Sequence, residues 1–438
     1  MSTVLPRGPR RDSYRPGTAI HHWTPEEPEF WATTGARVAA RNLRVSGPAL
    51  LLACAVWQIW SVTVVQLDRI GFDYTASQKF WLTAVPGLTG ATLQLGYTLL
   101  GPVIGGRRWT TFSTLLLTGP LLWLGLALRD TATPYPVMVV IAALCGIGGG
   151  NFAASMAGIA ALYPSLPSFP GFPRAGRGAA CRRNAVLASL GVGAVQLLAP
   201  IANSAFLWIP PLLVTAGLAW SRMNELDGAT KPFEQPSGIL RRKHTWLLTL
   251  LQVGAFGSFI GFAAALPNLI DTSFTPLAPA WSATRYAWAG PFVGALAQWL
   301  GGRPGSRVTG ARCTLVAFAG LALTVIVAVR ALPAAGDGGN FRLCYAAFLA
   351  AFFFAGLGSG SIVRQLAAIF RDRDRTDRTA SAVAGLSTAI ASCGGFFLPA
   401  MLALFPVTDL LYVVVGYYSL CLGVCWWYYA REGAEAPS

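Results

Sequence analysis

Charged side chains are scarce in this 438-residue chain, where Asp, Glu, Lys and Arg together make up 12% of the residues. Soluble globular domains carry about 25%. Hydrophobic residues supply 54% of the chain, and its mean hydropathy is +0.52. A soluble protein of this composition would lack the polar atoms to cover its surface, so most of the chain is expected to face a lipid bilayer. The composition therefore excludes the soluble globular class.

Acidic residues and histidines are also few, at 18 and three. His21, His22 and His244 lie outside the apolar runs, which excludes a histidine relay embedded in the membrane. Every Asp and Glu lies in a tail, in a loop or at a helix end, so the sequence offers no buried acid for proton coupling. No carboxylate pair, Ser–His–Asp set or phosphate-binding loop occurs in a suitable context, and we expect no enzymatic activity.

The eight cysteines lie mostly inside apolar runs and lack CxxC or Cys/His spacing, so we expect no metal or other cofactor. Small buried hydrophobic residues are their expected role. A signal peptide is missing too, because the first apolar run begins near Gly47, behind a tail with many arginines. The sequence therefore predicts that this tail stays in the cytoplasm.

Negative charge is scarce enough to leave a formal net charge of +15. A basic soluble protein invites a nucleic-acid hypothesis, but here the Lys and Arg residues fall between apolar runs. Retention of positive residues on the cytoplasmic side of a membrane explains the balance better. We therefore expect no nucleic-acid partner.

The apolar runs predict twelve spans of an all-α polytopic membrane protein, at 47–67, 77–105, 110–128, 135–163, 181–203, 204–221, 246–270, 283–302, 314–331, 342–370, 380–405 and 407–430. Their grouping predicts a cytoplasmic tail (1–45), a six-helix bundle (46–221), a cytoplasmic linker (222–245), a second six-helix bundle (246–430) and a cytoplasmic tail (431–438). Of 33 Lys and Arg residues, the outer segments hold only Arg69, Lys79, Arg129, Arg285, Arg330 and Arg342. This asymmetry predicts a multi-pass protein of the cell membrane with both termini inside.

Three sequence features recur in the same order in the two predicted bundles. Gly90-Ala-Thr-Leu-Gln94 in the second span matches Gly294-Ala-Leu-Ala-Gln298 in the eighth. Gly146-Ile-Gly148-Gly-Gly150 in the fourth matches Gly356-Leu-Gly358-Ser-Gly360 in the tenth, and Pro200 matches Pro399. The offsets are 204, 210 and 199 residues. This register predicts two pseudo-symmetric repeats of six helices, an arrangement that supports alternating access to a central site.

The glycine-rich fourth and tenth spans have two interpretations, which apply to Gly148 and Gly358 alike. Small residues let helices approach closely, which is a packing role. The same lack of side chains could leave room for a small solute at the bundle axis. The recurrence in both halves leaves the two interpretations open.

Arg364 lies inside an apolar run, seven residues before Arg371, so roughly 10 Å of helix separates the two. Its long side chain could extend to the cytoplasmic surface, because a charge at the bilayer centre costs about 2.5 kcal/mol or more. It could equally face a water-filled cavity and attract anions.

Several longer motifs along nearly the whole chain resemble the nitrate/nitrite porter family of the major facilitator superfamily. The motifs are Trp23-Thr-Pro-Glu26, Phe80-Trp-Leu-Thr-Ala-Val-Pro86, Gly105-Gly-Arg-Arg-Trp109, Gly150-Asn151-Phe-Ala-Ala-Ser-Met156, Phe256-Gly-Ser-Phe-Ile-Gly-Phe262 and Ala355-Gly-Leu-Gly-Ser-Gly-Ser361. The resemblance implies the twelve-helix major facilitator fold. It also implies a central site in which two arginines, one in span two and one in span eight, hold a planar anion between two phenylalanines.

The motifs carry the two phenylalanines onto Phe152 and Phe256, with Asn151 beside the first. They carry the two arginines onto Gln94 and Gln298, and neither of these is charged. The span-seven tyrosine of the family falls on Gln252, and its second span-five asparagine falls on Ser189, whereas the first is kept as Asn184. Guanidinium groups suit oxyanions because they are planar, always charged and donate in pairs. The resemblance therefore implies that the fold and the phenylalanine pair are retained, whereas the polar residues of the site are changed.

Three functions remain open for this chain. The first is a transporter with the specificity moved from nitrate and nitrite to another small polar solute, for which Gln94 and Gln298 would face each other across the central cavity. The second is a true nitrate/nitrite transporter or exchanger with charge supplied by Arg364. The third is a membrane sensor that transports nothing.

The charge asymmetry generates a testable topology. A single cysteine placed in the 222–245 segment and one placed in the 332–341 loop should react with an impermeant maleimide from opposite sides of the membrane. Labelling in intact and permeabilised cells measures the side of each site. Reaction from the same side would overturn the assignment of both termini to the cytoplasm.

Overall fold

A computed structural model describes residues 14–164, 176–198, 204–226, 239–277, 282–303, 309–333, 338–370 and 378–436. These residues are helical apart from one pair of two-residue strands and the connecting turns. Seven of the described helices are long and apolar enough to cross a membrane, or eight when the bent pair Pro28–Trp57 and Trp60–Ile70 counts as one span. A helical membrane protein with several spans is therefore confirmed, and the twelve-helix arrangement stays a prediction.

The helical elements of the first half of the chain follow the predicted spans, and several of them are broken. Their bounds are α1, Pro28–Phe30 with the π-turn Trp31–Gly35, Ala36–Trp57 and Trp60–Ile70; α2, Ala76–Ile104; α3, Gly106–Leu116 and Thr118–Ala127; α4, Tyr135–Cys145 and Ile147–Leu162; α5, Arg177–Leu197; and α6, Ser204–Leu207 and Ile209–Arg222. Helix α1 begins well before the predicted residue 47, because its first turns project beyond the apolar run and carry Arg37, Arg41 and Arg44.

The second half follows the same order. Its bounds are α7, Lys243–Gln252 with the π-turn Val253–Gly257 and Ser258–Ser273; α8, Ala283–Tyr286 and Ala289–Gly301; α9, Gly310–Ala331; α10, Phe341–Ile369; α11, Arg378–Ser392 and Gly394–Leu404; and α12, Val407–Cys425 with the π-turn Trp426–Ala430. We call the end of the bundle that carries Arg222 and Lys243 the linker end. Residues 227–238 of the predicted linker lie outside the described residues.

Helix α1 bends by 43° at its break between Trp57 and Trp60. The Ser61 hydroxyl donates to the Gln58 carbonyl at 2.7 Å, and the Thr63 hydroxyl donates to the Ile59 carbonyl at 2.9 Å. Hydroxyl groups that bond to carbonyls of the preceding turn commonly bend helices. The carbonyl groups at the break therefore accept hydrogen bonds from hydroxyl groups three and four residues later in the chain.

Helices α2 and α11 form one seam between the two halves of the chain. The Ser77 hydroxyl donates to the Ala403 carbonyl at 3.0 Å near the end opposite the linker end. Farther along, a side chain on Gly87 would collide with the backbone of Gly395, where its Cβ would lie 2.3 Å from the carbonyl carbon. The two helices therefore touch backbone to backbone at this level, which only small residues permit.

Helices α5 and α8 form a second seam between the halves. At the linker end the Arg182 guanidinium donates to the Gly302 carbonyl at 2.9 Å. At the other end, a Cβ on Gly193 would lie 2.7 Å from the Phe292 ring. The repeat relates the two seams to each other, because α8 is the counterpart of α2 and α11 is the counterpart of α5, and this is the contact pattern expected of two related repeats.

Part of the predicted N-terminal tail is folded onto the linker end. Strand β1 (Ala19–Ile20) pairs in parallel with β2 (Glu225–Leu226), and the Asn224 side chain donates to the Arg15 carbonyl at 2.7 Å. The buried Glu225 carboxylate accepts a hydrogen bond from the Arg108 amide at 3.2 Å, at the start of α3. Burial raises the pKa of Glu225, and the Arg108 and Arg107 amides and guanidinium groups oppose that rise.

Many large apolar side chains point away from the bundle, as a lipid-facing surface requires. Val413, Leu323, Val214 and Leu296 are each at least 60% exposed. Large buried side chains such as Trp60, Phe262, Phe352 and Tyr418 fill the interior instead. The two sets together describe a helix bundle that is apolar on its outside as well as in its core.

The glycine contacts between helices predict a measurable stability difference. A Cβ on Gly356 of α10 would lie 2.0 Å from the Gly294 carbonyl oxygen of α8, whereas a Cβ on Gly416 of α12 would meet nothing within 4 Å. Gly356→Ala should therefore destabilise the fold by about 1–3 kcal/mol through overpacking. Gly416→Ala is the matched control and should leave stability unchanged or slightly higher. Thermal unfolding in detergent measures both, and equal melting temperatures would contradict this close packing.

Candidate functional site

Gln94 lies on α2, in the seam with α11, and is 1% exposed. Its amide nitrogen donates to the Gly149 carbonyl of α4 at 3.1 Å and to the Ser392 hydroxyl of α11 at 2.9 Å. Because Ser392 belongs to the second half of the chain, this glutamine joins the two halves. The polar Gln94 side chain can be buried because its amide nitrogen donates to both of these acceptors.

Gln298 lies on α8, in the other seam, and is 8% exposed. The Ser189 hydroxyl of α5 donates to its side-chain oxygen at 2.8 Å, and its amide nitrogen donates to the Ser359 hydroxyl of α10 at 3.4 Å. The Gln252 amide of α7 donates to the same Ser359 hydroxyl at 3.2 Å. Three of the residues singled out from the sequence, Gln298, Ser189 and Gln252, thus share one hydrogen-bond network.

Phe152 of α4 and Phe256 of α7 meet between the halves. Their ring centroids are 6.0 Å apart, with the ring planes tilted by 37°. Phe256 is also stacked on Phe259 at 6.1 Å, with 19° between the planes. The rings form a tilted pair, backed on one side by a third ring, and such contacts between aromatic rings are favourable.

Asn151 precedes Phe152 on α4 and is 6% exposed. Its side-chain oxygen has no hydrogen-bond partner among the described residues. One turn farther along, Ser155 accepts from the Asn184 amide at 2.9 Å and contacts the Ser46 hydroxyl, also at 2.9 Å. The asparagine of α5 is therefore bound to α4, while Asn151 keeps free hydrogen-bonding capacity.

Gly148 and Gly358 both face neighbouring helices. A Cβ on Gly148 would lie 2.2 Å from the Ala53 carbonyl oxygen of α1. A Cβ on Gly358 would lie 3.1 Å from the Ala255 methyl group and 3.2 Å from that of Ala317. These contacts fit the packing interpretation of both glycines, and their role in solute binding stays a prediction.

Arg364 lies at the linker end of α10, where its guanidinium donates to the Arg303 carbonyl at 3.0 Å. Arg303 follows the last turn of α8 and stacks on the Trp299 ring at 3.7 Å. A cation is favourable near the carbonyl end of a helix, where the backbone dipole is negative. Arg364 is five residues, about 7.5 Å of helix, beyond Ser359 towards the linker end.

The residues brought together at the site are neutral amides, hydroxyl groups and phenyl rings. Each hydrogen bond named for Gln94, Gln298 and Gln252 joins neutral groups. Such a site can donate and accept hydrogen bonds, and it can pack a flat or apolar group against its rings. Within the described part of the chain, no group of three His, Cys, Asp or Glu side chains could hold a metal ion.

Two serines complete this network and were missed by the sequence analysis. Ser359 lies inside the glycine-rich motif of the tenth span, and the recurrence of that motif could have predicted its place near the site. Ser392 had none, because it falls at the break in α11, outside the matching motifs. Its contact with Gln94 depends on how the two halves dock.

Comparison with known proteins finds relatives along nearly the whole chain, although no family model matches it. It is 36% identical to the nitrate/nitrite transporter NarU of Escherichia coli (strain K12), over 94% of this chain and 96% of the relative. It is 35% identical to the probable nitrate/nitrite antiporter NarK2 of Thermus thermophilus, over 96% of this chain and 98% of the relative. A nitrite extrusion protein of Bacillus subtilis (strain 168) is 24% identical over 83% of this chain.

Proposed function

We propose that this chain, which belongs to the nitrate/nitrite porter family, is a membrane transporter whose specificity has moved from nitrate and nitrite to a small neutral or zwitterionic solute. One observation carries the proposal. Buried glutamines, Gln94 and Gln298, occupy both positions at which the family resemblance implies arginine, and each is hydrogen-bonded to a serine of the opposite half.

Electrostatics argues against a bare anion between these glutamines. Moving an anion from water into a site of low dielectric constant costs several kcal/mol unless a cation accompanies it. Two amide donors return only about 1 kcal/mol each. Both amide nitrogens are also already bound to serine or backbone oxygens, so an anion would have to displace those bonds.

The remaining groups favour a solute that both donates and accepts hydrogen bonds. A glutamine or asparagine side chain offers a donor amide and an acceptor oxygen. The buried Asn151 oxygen has no partner among the described residues, and leaving such an atom unpaired costs about 1–3 kcal/mol. A solute with an N–H or O–H group would relieve that cost while it packs against Phe152 and Phe256.

The transport mechanism that we propose is alternating access in a twelve-helix major facilitator fold with both termini in the cytoplasm. Two six-helix bundles would rock about the seams α2–α11 and α5–α8. The location of Gln94 in one seam and Gln298 in the other supports this, because a solute that displaces their serines would loosen both contacts between the halves. Binding would then couple to the movement that exposes the site to the other side.

A second candidate function is nitrate/nitrite transport or exchange. It is favoured by the relatives at 35–37% identity that carry this description and by the retained phenylalanine pair. The charge would then have to come from Arg364, which donates to the Arg303 carbonyl at the linker end. A sensor that transports nothing is the third candidate, and solute uptake into proteoliposomes excludes it directly.

The double substitution Gln94→Arg with Gln298→Arg should create nitrate binding. Two guanidinium groups would supply charge-assisted hydrogen bonds of about 1.5 kcal/mol or more each, so we expect nitrate affinity to rise on the order of a hundredfold. Either arginine alone should do much less, because a single cation lacks the symmetric clamp. Isothermal titration and counterflow with labelled nitrate measure both effects.

Gln94→Met with Gln298→Met is the matched control, since it removes the amides without adding charge. It should not bind nitrate. In the double arginine variant, removal of the Phe152 and Phe256 rings should abolish the increase in nitrate affinity. If the native protein exchanges nitrate for nitrite at rates that Arg364→Gln leaves unchanged, both the specificity shift and the Arg364 alternative are wrong.

Uptake should proceed without stoichiometric proton entry, because every Asp and Glu lies in a tail, in a loop or at a helix end, as Asp409 does at the start of the twelfth span. We therefore expect exchange or facilitated movement of the solute. A pH-sensitive dye inside proteoliposomes reports proton entry during uptake, with a protonophore-treated sample as the control. One proton entering for each solute molecule in the native protein would contradict this coupling mode.

A further inference from the structure

A groove with a volume of about 370 Å³ opens between α1, α5 and α6 in the first half of the chain. It is separate from the central site, since Gln94, Gln298 and the phenylalanine pair do not line it. Its lining residues run from Leu43 to Leu52 on α1, which is about 13.5 Å along the helix axis. The groove therefore extends from the linker end towards the middle of the bundle.

Two arginines stand at the end of this groove. Arg44 of α1 and Arg183 of α5 are both exposed, and both line this groove from helices on its two sides. Neither has a hydrogen-bond or ion-pair partner among the described residues. Two guanidinium groups that line one groove without a counter-ion can bind a phosphate group through paired donors.

Apart from Thr215, the rest of the groove is apolar. Pro48 and Pro211 are exposed, Leu51 and Leu187 are half-buried, and the other leucines of the lining are buried. A groove with two cations at one end and apolar side chains along its length matches a phospholipid, which has a charged headgroup and hydrocarbon chains. It borders α6, on which Leu213, Val214 and Leu218 are exposed, so such a molecule can enter from the side of that helix.

We propose that this groove binds an anionic phospholipid, with its phosphate on Arg44 and Arg183 and an acyl chain along Pro48, Leu51 and Leu187. Charge complementarity selects this occupant over the N-terminal segment of the chain. That segment carries Arg7, Arg10 and Arg11, and the guanidinium pair would repel it. The site is independent of the solute that the protein transports.

Native mass spectrometry of the detergent-purified full chain tests the proposal with three probes. These are phosphatidylglycerol, phosphatidylcholine and glycerol phosphate, which carries the anionic group without acyl chains. We expect a one-to-one complex with phosphatidylglycerol and much weaker binding of the other two. Arg44→Gln with Arg183→Gln should weaken the complex about 30-fold, since each arginine contributes about 1 kcal/mol at an anionic lipid surface.

Arg241→Gln with Arg312→Gln is the matched control, because both arginines are exposed at the linker end but do not line the groove. It should retain the complex. Leu187→Trp should also weaken the complex by filling the groove without changing charge, and it keeps the test valid if the double arginine variant misfolds. Equal losses in both double variants, or equal binding of phosphatidylcholine, would overturn the proposal. Binding of glycerol phosphate as strong as that of the lipid would overturn the acyl-chain part.

Discussion

The halves of this protein meet through buried side-chain amides, and each amide needs a partner because the surrounding hydrocarbon offers none. Gln94 finds Ser392, and Gln298 finds Ser189. Gln196, farther along α5, donates to the Ala263 carbonyl of α7 at 2.7 Å. Neutral hydrogen bonds therefore hold the two halves together at several levels, and any movement between the halves has to break and replace them.

The need to pair these buried amides connects the packing of the helices to the chemistry of the site. The seams are narrow because glycines let backbones touch, as at Gly87 and Gly395, and narrow seams bring the glutamines within reach of the opposite half. An arginine at either position would bury a charge in the same seam, which is costly without an anion to pair with it. Glutamine at these positions carries no such cost. The specificity change that we propose would therefore accompany a change in stability.

The linker end differs from the seams because it carries charged side chains. Arg364 and Arg182 bond to backbone carbonyls at Arg303 and Gly302 beyond the last turn of α8, where carbonyl groups lack helical partners. The folded segment at 14–20 joins the same end through Asn224 and Glu225. A segment that the sequence analysis treated as a tail is therefore part of the tertiary structure.

The sequence by itself determined the helical membrane class and the family, both of which are confirmed, because lipid exposure imposes long apolar runs and family motifs are local in the chain. It also indicated Phe152, Phe256, Gln94 and Gln298 as one set. Tertiary structure decided what each glutamine touches: Ser392 and Gln94 are distant in sequence, and no local pattern specifies how two helices dock. It also decided that Gly148 packs against Ala53 and that Arg364 bonds at the linker end. Apolar periodicity records which residues avoid water, whereas hydrogen-bond partners depend on distances between helices that only the folded chain sets.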